Sequence, residues 1–306
     1  MSTTTRSDAR SPRSAAAPPD RPGPIMRRRR RRITVPAVVQ YVLLIGLAIA
    51  SFFLIFVMVD LSFRRGVDIN VHFWRLFSSP YGGNYHTALL KLLPAMGRTM
   101  FVAVVSIGGI LLAGTVSAYA FARMHFPGRD VLYYAVLAVM TVPSIILLTP
   151  HFVLANQLHL VGSLWGLIVF YVAAGLPFAV FLITTFFRSQ PDEVFQAARV
   201  DGASELQSLI RIAVPLAFPI LVTVAMMNFL TVYGDYIWPT LILDKGNDTL
   251  LMALQTFSPR LDEYVNRPDF GIQSAGYAFA TIPQLVVFGL GMKYFVAGVT
   301  SGAVKA

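Results

Sequence analysis

Long apolar runs recur along the chain, and each is bounded by charged or polar positions. Each run is long enough for a helix to cross the hydrocarbon core of a bilayer, which takes about 20 residues. The runs lie at residues 36–60, 95–121, 131–153, 164–187, 215–242 and 273–298. Strands of a membrane barrel would instead be about ten residues long and would alternate apolar with polar positions. The pattern therefore predicts an all-α fold, a polytopic membrane bundle of about six transmembrane helices.

Prolines fall inside several of these runs. A proline in a helix removes one backbone hydrogen bond and crowds the preceding turn, so neighbouring helices must compensate. Kinks are predicted at Pro143, Pro150, Pro177, Pro219 and Pro283.

The composition agrees with a chain that lies mostly in lipid. Of its 306 residues, 56% are hydrophobic and only 13% are charged, whereas about a quarter of the residues in a soluble domain are charged. The chain has no cysteine, which excludes disulfides, thiolate metal ligands and thiol catalysis.

Basic residues are concentrated near the N-terminus. The net charge is +10, and an unbroken arginine run, Arg27 to Arg32, stands just before the first apolar run. The residues before it, 11–24, are rich in Pro, Ala and Ser, which is typical of disorder. An arginine run can bind nucleic acid, but beside a span it more simply holds that end of the helix in the cytosol. Residues 1–35 are therefore predicted to be a disordered basic cytosolic tail and residues 36–306 a transmembrane domain, with no nucleic-acid partner.

Loop charges predict the orientation of the spans. With the tail inside, six spans place both termini in the cytosol. Arg123 and Arg129 lie in the first cytosolic loop, as the positive-inside rule expects, whereas Arg64, Arg65 and Arg75 in the first outside loop run against it. The predicted cytosolic loops are 122–130 and 188–214, and the predicted outside loops are 61–94, 154–163 and 243–272.

Motifs for catalysis, metal binding and ion coupling are missing from the sequence. No G-x-x-x-x-G-K-[ST] loop, H-E-x-x-H pair or G-x-S-x-G elbow occurs. Ion-coupled carriers usually keep ionisable residues deep in their spans, but here the centres of the apolar runs are almost free of charge. The main exception, Asp235, falls toward the outer end of the fifth run. We therefore predict no catalytic residue, metal site or cofactor on this chain.

The most informative polar segment is the predicted cytosolic loop at 188–214. Pro191 followed by Asp192 and Glu193 is typical of the first turn of a helix. Asp201 and Gly202 are predicted to end that helix, because glycine readily takes the left-handed backbone conformation.

A second short helix is predicted directly after this break. Ser204 followed three residues later by Gln207 is a capping-box pattern. Its apolar positions then recur at helical spacing, at Leu206, Leu209, Ile210 and Ala213. By periodicity alone, the two helices fit a docking element for a soluble partner and an amphipathic loop on lipid headgroups equally well.

The residues of this loop resemble a known motif, the EAA loop of ABC-importer permeases, whose pattern is roughly E-A-A-x-x-x-G followed by I-x-x-P. Glutamine replaces the first acid of the motif in this chain. The resemblance implies that the loop couples the permease to an ATPase. The positions that match or adjoin the motif are Gln196, Ala197, Ala198, Asp201, Gly202, Ala203, Glu205, Leu206, Leu209, Ile212 and Pro215.

Three further segments extend the resemblance over most of the chain beyond the first span. They read YAFARMHFPGRD at 119–130, GDYIWP at 234–239 and KYFVAGVTSGAVKA at 293–306. They are similar to permeases of the maltose-type carbohydrate importers, in particular the MalG-like subunit. The resemblance implies a binding-protein-dependent permease subunit in a prokaryotic inner or plasma membrane, which forms half of a pathway for a sugar or small oligosaccharide.

The same resemblance implies the partners of the chain. They are a second, MalF-like permease, two ATPase subunits that bind ATP and Mg and carry out the hydrolysis, and an extracytoplasmic solute-binding protein. One alternative is a permease of the same superfamily for a glycerol phosphodiester or a polyol. The other is an ion-coupled carrier that needs no ATPase.

Polar or aromatic groups within otherwise apolar spans are candidates for the substrate pathway. Each also fits a second role, hydrogen bonding between helices, which is common for buried polar groups in membranes. The candidates are Asn228, Thr231, Tyr233 and Gln284.

Overall fold

A computed structural model of the chain describes residues 35–77, 80–244, 246–260 and 267–303. The chain divides into two units, Met1–Ser51 and Phe52–Ala306, and each is described by itself. The predicted tail lies outside the described residues except for Val35, so its disorder stays a prediction. Lys245 and residues 261–266 of the last predicted outside loop also lie outside them.

The described residues form helices and no strands, apart from one isolated bridge between Arg260 and Pro268. The helices are α1 (Val35–Ser62), α2 (Gly66–Val71), α3 (Gly83–Arg123), α4 (Arg129–Val139), α5 (Leu148–Gln157), α6 (Leu164–Ser189), α7 (Asp192–Val200), α8 (Glu205–Ser208), α9 (Val214–Leu216), α10 (Phe218–Gly234), α11 (Ile237–Ile242), α12 (Leu250–Thr256) and α13 (Phe270–Ala303). A 3-10 turn at Ser144–Leu147 precedes α5, and a π-helical turn at Leu209–Ala213 joins α8 to α9.

Among the described residues, four helices are long and apolar enough to cross a membrane, namely α1, α3, α6 and α13. Two bent pairs bring the number to as many as six: α4 with residues 144–157, bent by 88°, and residues 205–216 with α10, bent by 75°. The predicted all-α membrane bundle is confirmed. The third and fifth predicted spans, however, are not single straight helices.

Prolines mark both bends. Pro143 stands between α4 and the following turn, and Pro219 lies in the first turn of α10, directly after the break at Ala217. Proline has no N–H to continue the preceding helix, and it disfavours helical geometry in the residue before it. By contrast, Pro177 and Pro283 lie inside unbroken helices, where the loss of one bond is tolerated.

Asp235 ends the fifth run early. Its backbone is extended, and its Oδ1 accepts hydrogen bonds from the N–H groups of Ile237 at 2.9 Å and Trp238 at 3.4 Å. The side chain therefore caps the separate helix α11, while Oδ2 accepts from the Tyr171 hydroxyl at 2.9 Å. Both carboxylate oxygens are thus committed to the fold.

Helix α3 begins twelve residues before the predicted second span, at Gly83. Its 41 residues measure about 60 Å at 1.5 Å per residue, roughly twice the thickness of the hydrocarbon core. Three contacts tie its first half to the predicted outside loops. Asn84 Nδ2 donates to the Arg64 carbonyl at 2.7 Å, Arg98 Nε donates to the Asp248 carbonyl at 2.9 Å, and the Leu250 N–H donates to Thr99 Oγ1 at 2.8 Å.

The most extensive packing of the bundle is between α3 and α6. Small residues let the two helices approach closely: a Cβ placed on Gly114 would lie 3.1 Å from the Ala179 side chain. Larger apolar side chains fill the space around this contact, among them Ile110 and Ile183, which are fully buried.

Arg64, which ran against the positive-inside rule, is buried and neutralised. Its Nη1 lies 3.3 Å from Asp60 Oδ2, its Nη2 lies 3.2 Å from Asp68 Oδ2, and it donates to the carbonyls of Phe73 and His72. Two carboxylates therefore balance one guanidinium. Arg64 therefore stabilises the loop after α1, and its paired charge is not evidence against the predicted orientation.

Candidate functional site

The predicted helix pair in the loop at 188–214 is confirmed. Helix α7 begins at Asp192 directly after Pro191, with acidic residues in its first turn, and ends before Asp201. Gly202 has φ +79°, the left-handed conformation predicted for the break. Ser204 Oγ accepts from the Gln207 N–H at 3.3 Å, and the Ser204 N–H donates to Gln207 Oε1 at 3.0 Å, which completes the capping box.

The apolar stripe predicted for the second helix is divided between two faces. Leu209 and Ala213 are buried, whereas Leu206 is 64% exposed and Ile210 is 58% exposed. The π-helical turn at Leu209–Ala213 contains an extra residue per turn, which changes the angular spacing of these side chains. Leu209 therefore packs into the chain's own core, and the exposed apolar surface is formed by other residues.

The loop presents several large apolar side chains to solvent. Besides Leu206 and Ile210, Val194 and Val200 are exposed. Contiguous exposed apolar groups mark contact surfaces for a partner or a membrane, and these four side chains of one loop are the candidates for such a surface. Of the motif positions, Gln196, Ala197, Asp201, Gly202, Glu205, Leu206 and Pro215 are exposed, Ala203 and Ile212 are partly buried, and Ala198 and Leu209 are buried.

Arg123, at the end of α3, clamps the start of this loop. Its Nη2 donates to the carbonyls of Phe187 at 2.5 Å and Gln190 at 2.8 Å, where α6 ends. Its Nη1 pairs with Asp192 at the start of α7, and the guanidinium carbon lies 4.1 Å from the centre of the Phe195 ring. One buried side chain thus joins the ends of two spans to the first loop helix.

Sequence reasoning missed this role for Arg123. It treated the residue only as a positive charge in a cytosolic loop. The available signal was its place in the YAFAR segment, but its partners lie more than sixty residues away along the chain.

Glu205 joins three helices at the other end of the loop. Its Oε2 accepts from the Tyr119 hydroxyl of α3 at 2.7 Å, and its Oε1 lies 3.3 Å from Arg199 Nη2 of α7. The ion pair with Arg199 is about half exposed, and exposed pairs contribute only about 0–1 kcal/mol. The hydrogen bond from Tyr119 to a charged acceptor contributes more, about 1.5–3 kcal/mol. The Glu205 carboxylate is therefore held by Tyr119 of α3 and Arg199 of α7, within its own chain.

The four candidate pathway residues occupy different environments. Tyr233 is buried, and its hydroxyl donates to the Ala280 carbonyl of α13 at 2.5 Å. Asn228 is also buried, and its Nδ2 donates to the Val224 carbonyl. Thr231 is exposed, but its hydroxyl donates to the Met227 carbonyl. Gln284 is partly exposed. Two of the four side chains therefore serve packing within the chain, and two lie at its surface.

The orientation of the loop can be tested by thiol labelling, since the chain has no cysteine of its own. Val200 in the loop is 87% exposed, and Val67 in the first predicted outside loop is 63% exposed. In intact cells, an impermeant maleimide should label Val67→Cys and leave Val200→Cys unlabelled until the membrane is opened. Labelling of Val200→Cys from outside would show that the predicted orientation is inverted.

Comparison with known proteins adds three findings. Residues 109–301 match the model of a family described as binding-protein-dependent transport system inner membrane component. The chain is 34% identical over 217 residues to the trehalose transport system permease protein SugB of Mycobacterium tuberculosis, covering 70% of this chain and 76% of that one. It is 31% identical over 253 residues to the osmoprotective compounds uptake permease protein GgtD of Synechocystis, covering 79% and 83%.

The fold is also similar to a solved structure. A chain in the crystal structure of a bacterial ABC transporter that imports the acidic polysaccharide alginate superposes with a TM-score of 0.73. The match covers 87% of this chain and 98% of that chain, at 22% sequence identity.

Proposed function

Since the chain belongs to the family of binding-protein-dependent transport system inner membrane components, we propose that it forms half of the pathway of an ATP-driven importer for a sugar or small oligosaccharide. The chain is a multi-pass permease of the inner membrane. ATP hydrolysis takes place on separate subunits, and this chain transmits their movement to its spans.

The attachment of the loop at 188–214 carries this proposal. A loop that only rested on lipid headgroups would need an apolar face and nothing more. Here Arg123 and Glu205 fix the two short helices to α3, and Arg123 also holds the end of α6. A rigid connection of this kind is what a force-bearing contact requires. The exposed apolar side chains of the loop at 188–214 then form the surface that contacts the ATPase.

The relatives support the solute class. SugB is named for trehalose and GgtD for osmoprotective compounds, so both are named for the uptake of small solutes. The second candidate is a permease of the same superfamily that carries a polyol or another solute, and the similarity to GgtD favours it. Asp235, the main ionisable group of the spans, is occupied by capping and by Tyr171, so it offers little to an ion-coupled mechanism.

The proposed partners follow from this function. They are a second permease of the same type, two ATPase subunits that hold ATP and Mg, and an extracytoplasmic solute-binding protein. The spans of this chain then form one wall of the pathway and the second permease forms the other.

The test is reconstitution of the complete importer in proteoliposomes. We expect the chain to purify with the second permease and the ATPase subunits, and ATP hydrolysis to rise when the loaded binding protein is added. Mass spectrometry of the solute released from that binding protein should then identify a sugar. Uptake that continues without an ATPase and follows an ion gradient would refute the proposal.

A further inference from the structure

Uncharged polar side chains form a strip along the first half of the membrane-spanning part of α13. At 100° per residue they fall within about 80° of the helix circumference, and they extend over roughly 17 Å along its axis. The strip begins three residues after the start of the helix at Phe270. We call these residues the α13 polar strip: Gln273, Tyr277, Thr281 and Gln284.

Three of the four side chains in this strip form no hydrogen bond within the described part of the chain. Tyr277 is 42% exposed, and the other three residues are partly exposed. Thr281 Oγ1 donates to the Tyr277 carbonyl at 2.9 Å. Within the described part of the chain, no hydrogen bond is formed by the side chains of Gln273, Tyr277 or Gln284.

Hydrocarbon is an unfavourable neighbour for this strip. A polar group without a hydrogen-bond partner costs several kcal/mol in the bilayer core, and the strip contains two amides and a phenol. Ile282 lies only two residues from Gln284 but on the opposite side of the helix, and it is exposed and apolar. Lipid therefore suits the exposed Ile282 side chain, and a polar medium suits the strip.

The strip ends near the middle of the span. The same face continues from Gln284 to Phe288, which is exposed and apolar. A surface that packed against another helix through the whole bilayer would have no reason to change in this way. Close helix contacts in membranes also favour small residues, whereas glutamine and tyrosine are long.

We propose that the α13 polar strip lines the translocation pathway and binds an uncharged, hydroxyl-rich solute. Amide groups donate and accept hydrogen bonds, as the hydroxyl groups of a sugar or polyol do, and the Tyr277 ring can pack against the apolar face of a sugar. No charged residue occurs between Phe270 and Gln284, so the strip offers no counter-charge for an anion. This inference rests on the proposed function and specifies its solute contacts.

The location is tested by thiol reactivity in the complete reconstituted importer. The variants are Tyr277→Cys and Gln284→Cys on the strip and Ile282→Cys opposite it, and the probe is a charged, water-soluble methanethiosulfonate. The strip cysteines should react at least about tenfold faster than Ile282→Cys, because the reactive thiolate forms in water and is suppressed in apolar surroundings. Equally slow reaction at all three positions would place the strip against the second permease and overturn the proposal.

A second measurement tests the solute contacts. Tyr277→Phe and Gln284→Leu each remove hydrogen-bonding groups at little change in volume, and each should lower solute transported per ATP hydrolysed by about 2- to 10-fold, the range for lost hydrogen bonds. Tyr134→Phe, at an exposed tyrosine of α4, is the matched control and should leave this ratio unchanged. Equal ratios in all variants would overturn the assignment.

Two readouts separate this inference from the proposed function. Failure of the loaded binding protein to stimulate ATP hydrolysis by the unmodified importer would contradict the proposed function itself. Recovery of an anionic solute from a binding protein that does stimulate hydrolysis would leave that function in place and overturn only the uncharged class of solute.

Discussion

Gly202→Val is expected to insert and assemble normally but to lose most transport. Gly202 has φ +79°, and no atom lies within 4 Å of the position that a Cβ would take. A Cβ at this position therefore meets no steric obstacle, and the cost of the substitution is assigned to the backbone. That cost is about 1–3 kcal/mol, equivalent to a shift of roughly 5- to 150-fold against the native turn. The turn would relax and re-aim α8, so hydrolysis should no longer respond to the loaded binding protein.

Two further variants separate backbone conformation from a general effect of valine. Gly202→Asn should retain much of the activity, because asparagine tolerates positive φ better than other residues. Gly128 has the same φ of +79° and equally open surroundings, but it lies before α4, outside the loop at 188–214. Gly128→Val should therefore leave coupling intact. Equal losses of coupling in Gly128→Val and Gly202→Val would show that backbone strain in general, and not the turn at Gly202 in particular, causes the defect.

Arg123→Met is expected to detach the loop from the spans and to lower transport strongly. It removes the charged donor for the carbonyls of Phe187 and Gln190. The Phe187 carbonyl keeps only the longer hydrogen bond from the Gln190 N–H at 3.3 Å, and the buried Gln190 carbonyl loses its side-chain donor. The cost is roughly 1–3 kcal/mol, and about 1.4 kcal/mol already corresponds to a tenfold change in an equilibrium. Trypsin cleavage at the exposed Arg199 and Arg211 should accelerate in the variant, which reports the release of the loop directly.

Asp192→Ala is the matched control for this prediction. The Asp192 side chain is 74% exposed, and an exposed ion pair contributes about 0–1 kcal/mol, so proteolysis and transport should change little. Arg123→Lys retains the charge but not the planar fork, and it should fall between the two. If Asp192→Ala is as damaging as Arg123→Met, the ion pair is the dominant contact of Arg123. That result would contradict the expectation that its buried hydrogen bonds to backbone carbonyls matter most.

Local chemistry made much of the loop at 188–214 predictable. Pro191, the acids after it, the glycine at the break and the Ser204–Gln207 cap all act within a few residues, and each was found where the sequence placed it. The same holds for the membrane helices, because an apolar run of spanning length leaves few alternatives to a helix.

Long-range contacts explain what could not be predicted. Tyr119 and Glu205 are 86 residues apart, and Arg123 and Asp192 are 69 residues apart, so no local pattern reveals either pair. The burial of Leu209 likewise depends on the core that it enters and on the π-helical turn that directs it. The kinks predicted at Pro143 and Pro219 coincide with the two bends, but a proline does not fix the angle of a bend, so the angles of 88° and 75° could not be predicted.

The length of α3 has a thermodynamic consequence. One unbroken helix contacts the predicted outside loops through Asn84, Arg98 and Thr99 and contacts the loop at 188–214 through Tyr119 and Arg123. If a ligand at either end favours one position of this helix, the two binding events share a single free energy of coupling. That energy acts equally in both directions. Attachment of the binding protein would then raise the affinity of this chain for the ATP-bound ATPase by some factor. The ATP-bound ATPase must raise the affinity for the binding protein by the same factor.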